Sequence, residues 1–161
     1  MIEELYHSAG CMHILYQNSL SMFDIMEFGT EEQKQQAVDH YMETGWPIAS
    51  LSISEPGAGS DNGSMTCVAK KQADGTYKLS GQKTWVTMGE KLPYTIVVAK
   101  DEDPSRENRN MSLWYIPMDT PGVPPLRCTR LASSASRSAR STSMTSSLPK
   151  SSAWASRARA S

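Results

Sequence analysis

Apolar residues recur at helical spacing in the first part of the chain, across residues 2–28. They are Leu5, Cys11, Ile14, Leu15, Leu20, Phe23, Ile25 and Met26. This pattern predicts a helical segment with a break near Ser19–Ser21. Thr30, with Gln33 three residues later, predicts a capping box that starts a second helix, which runs to about Glu43. Few apolar residues follow the cap, so we expect the second helix to lie on the surface.

The pattern changes after Trp46-Pro47 to short runs rich in β-branched and aromatic residues. Six runs predict strands, at residues 48–53, 65–71, 76–80, 83–88, 94–100 and 111–117. Between the second and third run, Ala73-Asp74-Gly75 predicts a hairpin turn. Strands that follow helices without regular alternation favour an α+β fold, here a short helical segment followed by an antiparallel β-barrel.

The C-terminal segment, residues 128–161, shows neither pattern. It contains twelve Ser, seven Ala and five Arg among 34 residues and no acidic residue. Such a composition predicts a disordered, low-complexity tail. Charge divides the chain at the same place, because residues 1–126 carry nine basic and seventeen acidic residues and the rest carries seven basic ones. A basic tail of this kind indicates either nucleic-acid binding or a segment foreign to the rest of the protein.

Cysteine usage and hydropathy indicate where the protein resides. Three cysteines without a close pair argue against a disulfide scaffold. No apolar run reaches membrane-spanning length, and no signal peptide is evident, so we expect a soluble cytoplasmic protein. His7, Cys11 and His13 are too few and too poorly aligned to predict a metal site.

The stretch LSISEPGAGSDNGS, Leu51 to Ser64, is the first candidate for a binding site. A dinucleotide fingerprint would need a third glycine where Asn62 stands and a helix afterwards, and neither is predicted. Small residues after a strand favour a turn that exposes its backbone, and such a turn can hold an anion. An ordinary connecting loop is the alternative, and Glu55 in it would then be solvated or accept a turn hydrogen bond.

The stretch GQKTWVTMG, Gly81 to Gly89, is the second candidate. Trp85 and Thr87 would share one side of a strand, where an aromatic plane and a hydroxyl suit a flat heteroaromatic ligand. The alternative is a core tryptophan. Ser80 to Lys83 matches the SxxK pattern of acyl-serine enzymes, but the motifs that accompany it there are lacking.

In order and spacing, SISEPGAGSD followed by LSGQKTWVTMG resembles the acyl-CoA dehydrogenase family. The resemblance extends from about Glu27 to Leu126 through three further stretches, FGTEEQKQQ, YTIVVAKD and WYIPMDTPGV. Within the family, the sequence most resembles the crotonobetainyl-CoA dehydrogenase-like members. The resemblance implies the end of an N-terminal helical domain at residues 1–45. An FAD-binding β-barrel middle domain follows at 46–127, and the tail occupies 128–161.

The resemblance also implies a reaction, in which an acyl-CoA is oxidised to the 2,3-enoyl-CoA by hydride transfer to FAD. Carried over by position, the FAD-binding residues are Leu51, Ile53, Ser54, Gly59, Ser60, Trp85, Val86 and Thr87. Ser60 would also meet the acyl-CoA substrate, and Thr87 would lie near flavin N5. The carboxylate base of the family belongs to a C-terminal helical domain that nothing in this chain matches, so we expect no catalytic residue here and an inactive isolated chain.

Partners are implied by the same resemblance. They are the acyl-CoA substrate, an electron-transfer flavoprotein or similar acceptor, and further copies of the chain in a homo-oligomer. The resemblance implies neither a nucleic acid nor a membrane span, and it places the protein in fatty acid or carnitine metabolism.

The resemblance stops at Arg127, and the tail can be translated in another phase. Codons 140–150 can then encode a family-like strand. Met144-Thr145 must encode Asp and Trp154-Ala155 must encode Gly, and both fit the family. We hypothesise that residues 128–161 are a frameshift product or a sequencing error. Two other hypotheses remain, a non-catalytic flavin or CoA-binding module and a β domain with an RNA-binding Arg/Ser arm.

Overall fold

The structure is a computed structural model. It describes residues 14–102 and 111–123, the isolated residues Glu4 and His7, and three short tail segments at 138–139, 142–148 and 153–154. For residues 14–18 and for the tail segments only the backbone is described.

The first helix, α1, spans Ile14–Phe28 without interruption. The predicted break near Ser19–Ser21 is therefore wrong. Ser21 is buried, and its hydroxyl donates a 2.6 Å hydrogen bond to the carbonyl oxygen of Ala49. Because a distant strand accepts this hydrogen bond, the hydroxyl has a partner outside the helix backbone.

The second helix, α2, spans Glu31–Thr44, and its predicted start is confirmed. The backbone N–H of Gln33 donates to Thr30 Oγ1 at 3.3 Å, and the N–H of Thr30 donates to Gln33 Oε1 at 2.9 Å. Gly45 ends the helix with φ of 71°, a left-handed conformation that costs glycine little. Of the fourteen residues of α2, all of them described, Ala37 is the buried one, which confirms a surface helix.

The described residues also contain a short 3-10 helix, Asn62–Ser64, and nine strands. The strands are β1 Ala49–Ser52, β2 Val68–Lys71, β3 Tyr77–Lys83, β4 Val86–Thr87, β5 Tyr94–Asp101, β6 Met111–Pro117, β7 Ser138–Ala139, β8 Thr142–Leu148 and β9 Ala153–Trp154. Seven of them make one sheet in the order β8-β3-β2-β5-β6-β9, with β1 also paired to β5. β4 and β7 pair separately. The predicted α+β class, with helices before the sheet, is confirmed.

The sheet is mixed and not purely antiparallel as predicted. β1 pairs in parallel with Tyr94–Val97 of β5, and β2 pairs in parallel with Lys100–Asp101 of the same strand. β6 occupies the other edge of β5. The chain thus leaves the sheet after Ser52 and returns at Val68 beside the same edge. Hydrophobic alternation is equally compatible with both strand directions, so the sequence pattern could not predict this.

The predicted strand at 83–88 is also wrong. β3 continues through Lys83, and the two-residue β4 follows only after Thr84 and Trp85. Trp85 and Met88 both have φ of 58°, which is outside the strand region. The chain therefore turns sharply on each side of β4.

The described tail segments differ from the predicted disordered tail. β8 pairs antiparallel with all seven residues of β3, β7 pairs with β4, and β9 pairs with β6. An exposed strand edge offers unpaired N–H and C=O groups to any extended segment, whatever its side chains. Composition indicates whether side chains can form a core, but it does not predict backbone pairing of this kind. The other residues of 128–161 lie outside the described residues.

β5 is the central strand, and both of its faces are covered. Val97 points into a cluster that includes Cys67, Leu79 and Trp114. Ile96, on the opposite face, joins a second cluster that connects the sheet to both helices. No helix in the described part of the chain combines the length and apolarity that a membrane span requires.

Candidate functional site

A cavity of about 170 Å³ lies where α1, the end of β1 and the chain around β4 meet. It is lined by Leu20, Ser21, Leu51, Ile53, Ser54, Thr84, Trp85 and Thr87. Five of these residues, Leu51, Ile53, Ser54, Trp85 and Thr87, are among those that the family resemblance implied as FAD contacts. The fold thus brings the two candidate motifs together around one cavity.

The two motifs meet through backbone hydrogen bonding at the cavity. Leu51 belongs to β1, and the chain leaves the sheet through Ile53 and Ser54. The N–H of Thr84 donates to the carbonyl oxygen of Ser54 at 2.9 Å, which joins the first motif to the second. Half of the lining residues carry hydroxyl groups, namely Ser21, Ser54, Thr84 and Thr87.

Trp85 has the most unusual conformation in this lining. Its φ is 58° and the residue is 62% exposed, although indole is one of the larger apolar groups. A bulky residue in the left-handed region is strained, and such strain concentrates at functional sites. An exposed indole beside a cavity offers a face for stacking a flat ring.

Leu20 and Ser21 were not predicted as part of the site. They reach the cavity because α1 lies against β1, where Ser21 donates to the carbonyl oxygen of Ala49, 28 residues away. The sequence shows them only as helical positions. No local signal marks a contact over such a separation.

Three predicted residues lie outside the cavity lining. The side chain of Val86 is buried and packs against Met118. Gly59 and Ser60 are exposed in the segment between β1 and β2. A Cβ on Gly59 would meet no atom within 4 Å, so nothing within this chain crowds that backbone.

Glu55 lies near the start of that segment, and it is neither solvated nor a simple turn acceptor as the sequence suggested. Its Oε1 lies 2.9 Å from Lys83 Nζ, and both side chains are 2% exposed. Lys83, which completes the SxxK match, is therefore committed to an ion pair in this structure.

The remaining hydrogen-bonding capacity of Glu55 is also used. Thr66 donates to Oε2 from its N–H and from its hydroxyl, each at 2.7 Å, and the N–H of Cys67 donates to Oε1 at 2.9 Å. Burial opposes ionisation, but these hydrogen bonds and the one from Lys83 outweigh it and lower the pKa of Glu55 below its usual 4.5. A carboxylate held ionised by four donors is a poor general acid.

Metal binding has no support among the described residues, which contain no group of three or more possible ligands. Cys11 and His13, two of the three residues considered from the sequence, lie outside the described residues.

Comparison with known proteins identifies the family. The model of the acyl-CoA dehydrogenase middle domain matches residues 50–145, which is more than half of the chain. The chain belongs to the acyl-CoA dehydrogenase family. The match extends past Arg127, where the resemblance in the sequence stops, to residue 145.

Individual relatives agree with this membership. The probable acyl-CoA dehydrogenase YdiO of Escherichia coli K12 is 33% identical over 114 residues, which are 71% of this chain and 30% of that protein. The mitochondrial short-chain specific acyl-CoA dehydrogenase of Bos taurus is 40% identical over 106 residues, covering 66% of this chain and 25% of the relative.

Solved structures of the family share the fold. Glutaryl-CoA dehydrogenase from Mycobacterium smegmatis in complex with FADH2 superposes with a TM-score of 0.68 at 27% identity, over 86% of this chain and 34% of that one. Butyryl-CoA dehydrogenase from Megasphaera elsdenii gives the same TM-score and the same identity, over 84% of this chain and 35% of that one. This chain therefore spans about a third or less of the length of its family members.

The cavity suits one edge of a flavin. It combines an exposed indole, aliphatic side chains and four hydroxyls, as a flat ring with polar edges requires. At about 170 Å³ it is smaller than the roughly 300 Å³ or more of a complete small-molecule site. The residues of this chain can thus form one wall of such a site.

Proposed function

We propose that this chain forms the flavin-facing wall of an acyl-CoA dehydrogenase and binds FAD at the cavity described above. The observation that carries the proposal is the convergence of the two motifs. Leu51, Ile53 and Ser54 meet Trp85 and Thr87 at one cavity, although about thirty residues separate the two groups.

Each side chain has a definable role in this proposal. Leu51 and Ile53 exclude water from one side of the ring, and Trp85 offers it an aromatic face. The hydroxyls of Ser54 and Thr87 can hydrogen-bond to its polar edge. When bound, FAD supplies the hydride acceptor, and the protein orients and polarises the reactants.

The exposed turn around Gly59 and Ser60 is the proposed contact for the substrate. Its backbone is uncrowded within this chain, so an extended chain such as the pantetheine of an acyl-CoA can approach it closely. Ser60 would contribute a hydroxyl there. The membership of the family and the presence of solved acyl-CoA dehydrogenases among its relatives support this class of substrate.

The proposed reaction of the full-length enzyme is oxidation of an acyl-CoA to the 2,3-enoyl-CoA. It requires a base for the α-proton, and no described residue that lines the cavity carries a carboxylate. Glu55 is already saturated with donors. We therefore propose that the base, the homo-oligomeric assembly and the docking of an electron-transfer flavoprotein involve parts of the enzyme other than the described residues.

More detailed assignments are part of the same proposal. Sequence similarity to crotonobetainyl-CoA dehydrogenase-like proteins supports a role in carnitine or fatty acid metabolism in the cytoplasm.

The division into residues 1–45, 46–127 and 128–161 follows the change of sequence pattern. A frameshift after Arg127 is supported by the two codon pairs that admit one reading, and the family match to residue 145 weighs against it. Nucleotide sequence across codon 127 decides between them.

Flavin titration tests the proposed site. FAD is titrated into the 161-residue chain and into Trp85→Ala, and binding is followed by flavin fluorescence. Trp46→Ala is the matched control, because Trp46 is 41% exposed and lies outside the cavity lining. We expect the chain to bind FAD weakly, Trp85→Ala to lose binding, and Trp46→Ala to retain it. Equal binding by the two variants contradicts the proposed site.

An activity assay tests the missing base. With FAD, an acyl-CoA such as butyryl-CoA and an artificial electron acceptor, we expect no turnover by this chain. Sustained reduction of the acceptor would show that the chain provides its own base.

A further inference from the structure

We infer that Glu55 and Lys83 form a positioning pair, which fixes the two motifs of the cavity relative to each other. Its charges would serve the geometry of the site more than the stability of the fold. This inference rests on the proposed flavin site, although one of its tests does not need flavin.

The pair lies at the junction of the two motifs. Glu55 directly follows Ser54, and Lys83 directly precedes Thr84, and both of these neighbours line the cavity. Lys83 Nζ donates to Glu55 Oε1 at 2.9 Å and to the carbonyl oxygen of Ile53 at 2.8 Å. One ammonium group therefore holds the first motif by a side chain and by the backbone.

Glu55 extends this restraint to the return of the loop. Its carboxylate accepts from the backbone N–H groups of Thr66 and Cys67, at 2.7 and 2.9 Å, just before the chain enters β2. The loop is thus closed at its base, while Gly59 and Ser60 at its tip stay exposed. The pair fixes where the tip stands relative to the cavity.

The strained conformation of Trp85 depends on restraint from both sides. On one side, Thr84 donates to the carbonyl oxygen of Ser54 next to the ion pair. On the other side, Val86 is buried in β4. A left-handed conformation of a bulky residue persists only when its surroundings determine it. Loss of the pair should let Trp85 relax away from the orientation that faces the cavity.

Energetics distinguish a positioning pair from a purely stabilising one. Removing one partner of a buried ion pair is strongly destabilising, because a buried charge is left alone. Replacing both partners by uncharged groups leaves no unpaired buried charge, so it should cost less stability than removing one partner. A double replacement can therefore restore the fold without restoring the geometry.

The experiment compares Glu55→Gln, Lys83→Met and the double variant with the wild-type chain. Unfolding in urea measures stability, FAD titration measures the site, and hydrogen exchange at the Thr84 amide measures the junction. Lys70→Met with Glu102→Gln is the matched control, because this ion pair at 2.9 Å is 61% and 50% exposed and lies outside the cavity lining.

We expect each single variant to unfold at lower urea and the double variant to recover most of that loss. The double variant should still bind FAD about tenfold more weakly or worse, with Thr84 exchange faster by a similar factor. The control double variant should match the wild-type chain in FAD affinity and in hydrogen exchange at Thr84. A double variant with wild-type FAD affinity and wild-type exchange at Thr84 would overturn the inference.

Lys83→Arg provides a second test if the double variant does not fold. It keeps the charge, but the larger planar guanidinium does not fit the buried position that the compact Lys83 ammonium occupies between Glu55 and the carbonyl oxygen of Ile53. We expect a folded chain with weaker FAD binding and faster exchange at Thr84, and wild-type values for both would contradict positioning. Failure of the wild-type chain to bind FAD would refute the proposed function, and Thr84 exchange would then test the pair by itself.

Discussion

Gly81 lies so close to Cys67 that a Cβ on Gly81 would stand 2.6 Å from the Cα of Cys67. The same atom would be 2.7 Å from its sulfur. Cys67 is fully buried and is held by Glu55 through its N–H, so it cannot move aside easily. Glycine at position 81 is therefore required by close approach between two segments of the chain.

Gly81→Ala tests this contact. We expect it to lower the free energy of unfolding by about 1–3 kcal/mol, because the added methyl group overpacks against backbone. Gly57→Ala is the matched control, since a Cβ there meets nothing within 4 Å and no positive φ is required. Urea unfolding of both variants gives the comparison, and equal stability would contradict the predicted crowding.

Acid should destabilise the chain through Glu55. The pKa of this carboxyl is lower in the folded state than its usual 4.5, so the ionised carboxylate stabilises the fold above that pH. This stabilisation is lost as the pH falls through the folded-state pKa, because Glu55 is then protonated in the folded protein. We expect the urea midpoint of the wild type to fall more steeply than that of Glu55→Gln as the pH drops below 4.5. Parallel pH profiles would contradict the assignment.

Cys67 should be unreactive in the folded chain. Burial is the main reason that the pKa of its thiol rises from 9.0 to about 11, with Lys83 opposing and Glu55 adding to the rise. Little thiolate is therefore present at pH 8. In a chain with Cys11→Ser and Cys128→Ser, we expect alkylation by iodoacetamide only after addition of denaturant. Rapid labelling of the native chain would show that the thiol is accessible.

Thr87→Val removes one cavity hydroxyl at nearly constant volume. We expect FAD affinity to fall about fivefold, as the loss of about 1 kcal/mol of hydrogen bonding predicts. Thr120→Val is the control, since Thr120 is partly exposed and lies outside the cavity lining. Fluorescence titration compares the two. An unchanged affinity of Thr87→Val would remove this hydroxyl from the proposed site.

Deletion of residues 128–161 tests the pairing of the tail. β8 pairs with β3 along Tyr77–Lys83, so its removal should expose that edge. We expect a lower urea midpoint and faster hydrogen exchange at alternate amides of β3. A chain that ends at residue 155, and so keeps β7 to β9, should behave as wild type. An unchanged midpoint after the full deletion would indicate that the tail does not contribute to the fold.

Local patterns in the sequence determined the parts of the fold that depend on near neighbours. The capping box of Thr30 and Gln33 satisfies hydrogen bonds within one turn of helix, so three residues suffice to predict it. The strand Met111–Pro117 was predicted with its exact bounds, because β-branched and aromatic residues favour extended backbone. The two motifs were likewise recognisable from their order and spacing.

Tertiary structure alone decided how these parts meet. The sequence did not reveal that β1 and β2 pair in parallel with β5, that Ser21 reaches Ala49, or that Glu55 and Lys83 form a buried ion pair. These contacts join residues 28 or more positions apart, and their free energy depends on burial that only the assembled fold provides. The sequence by itself indicated which residues to propose as flavin contacts, and long-range packing decided which of them line one cavity.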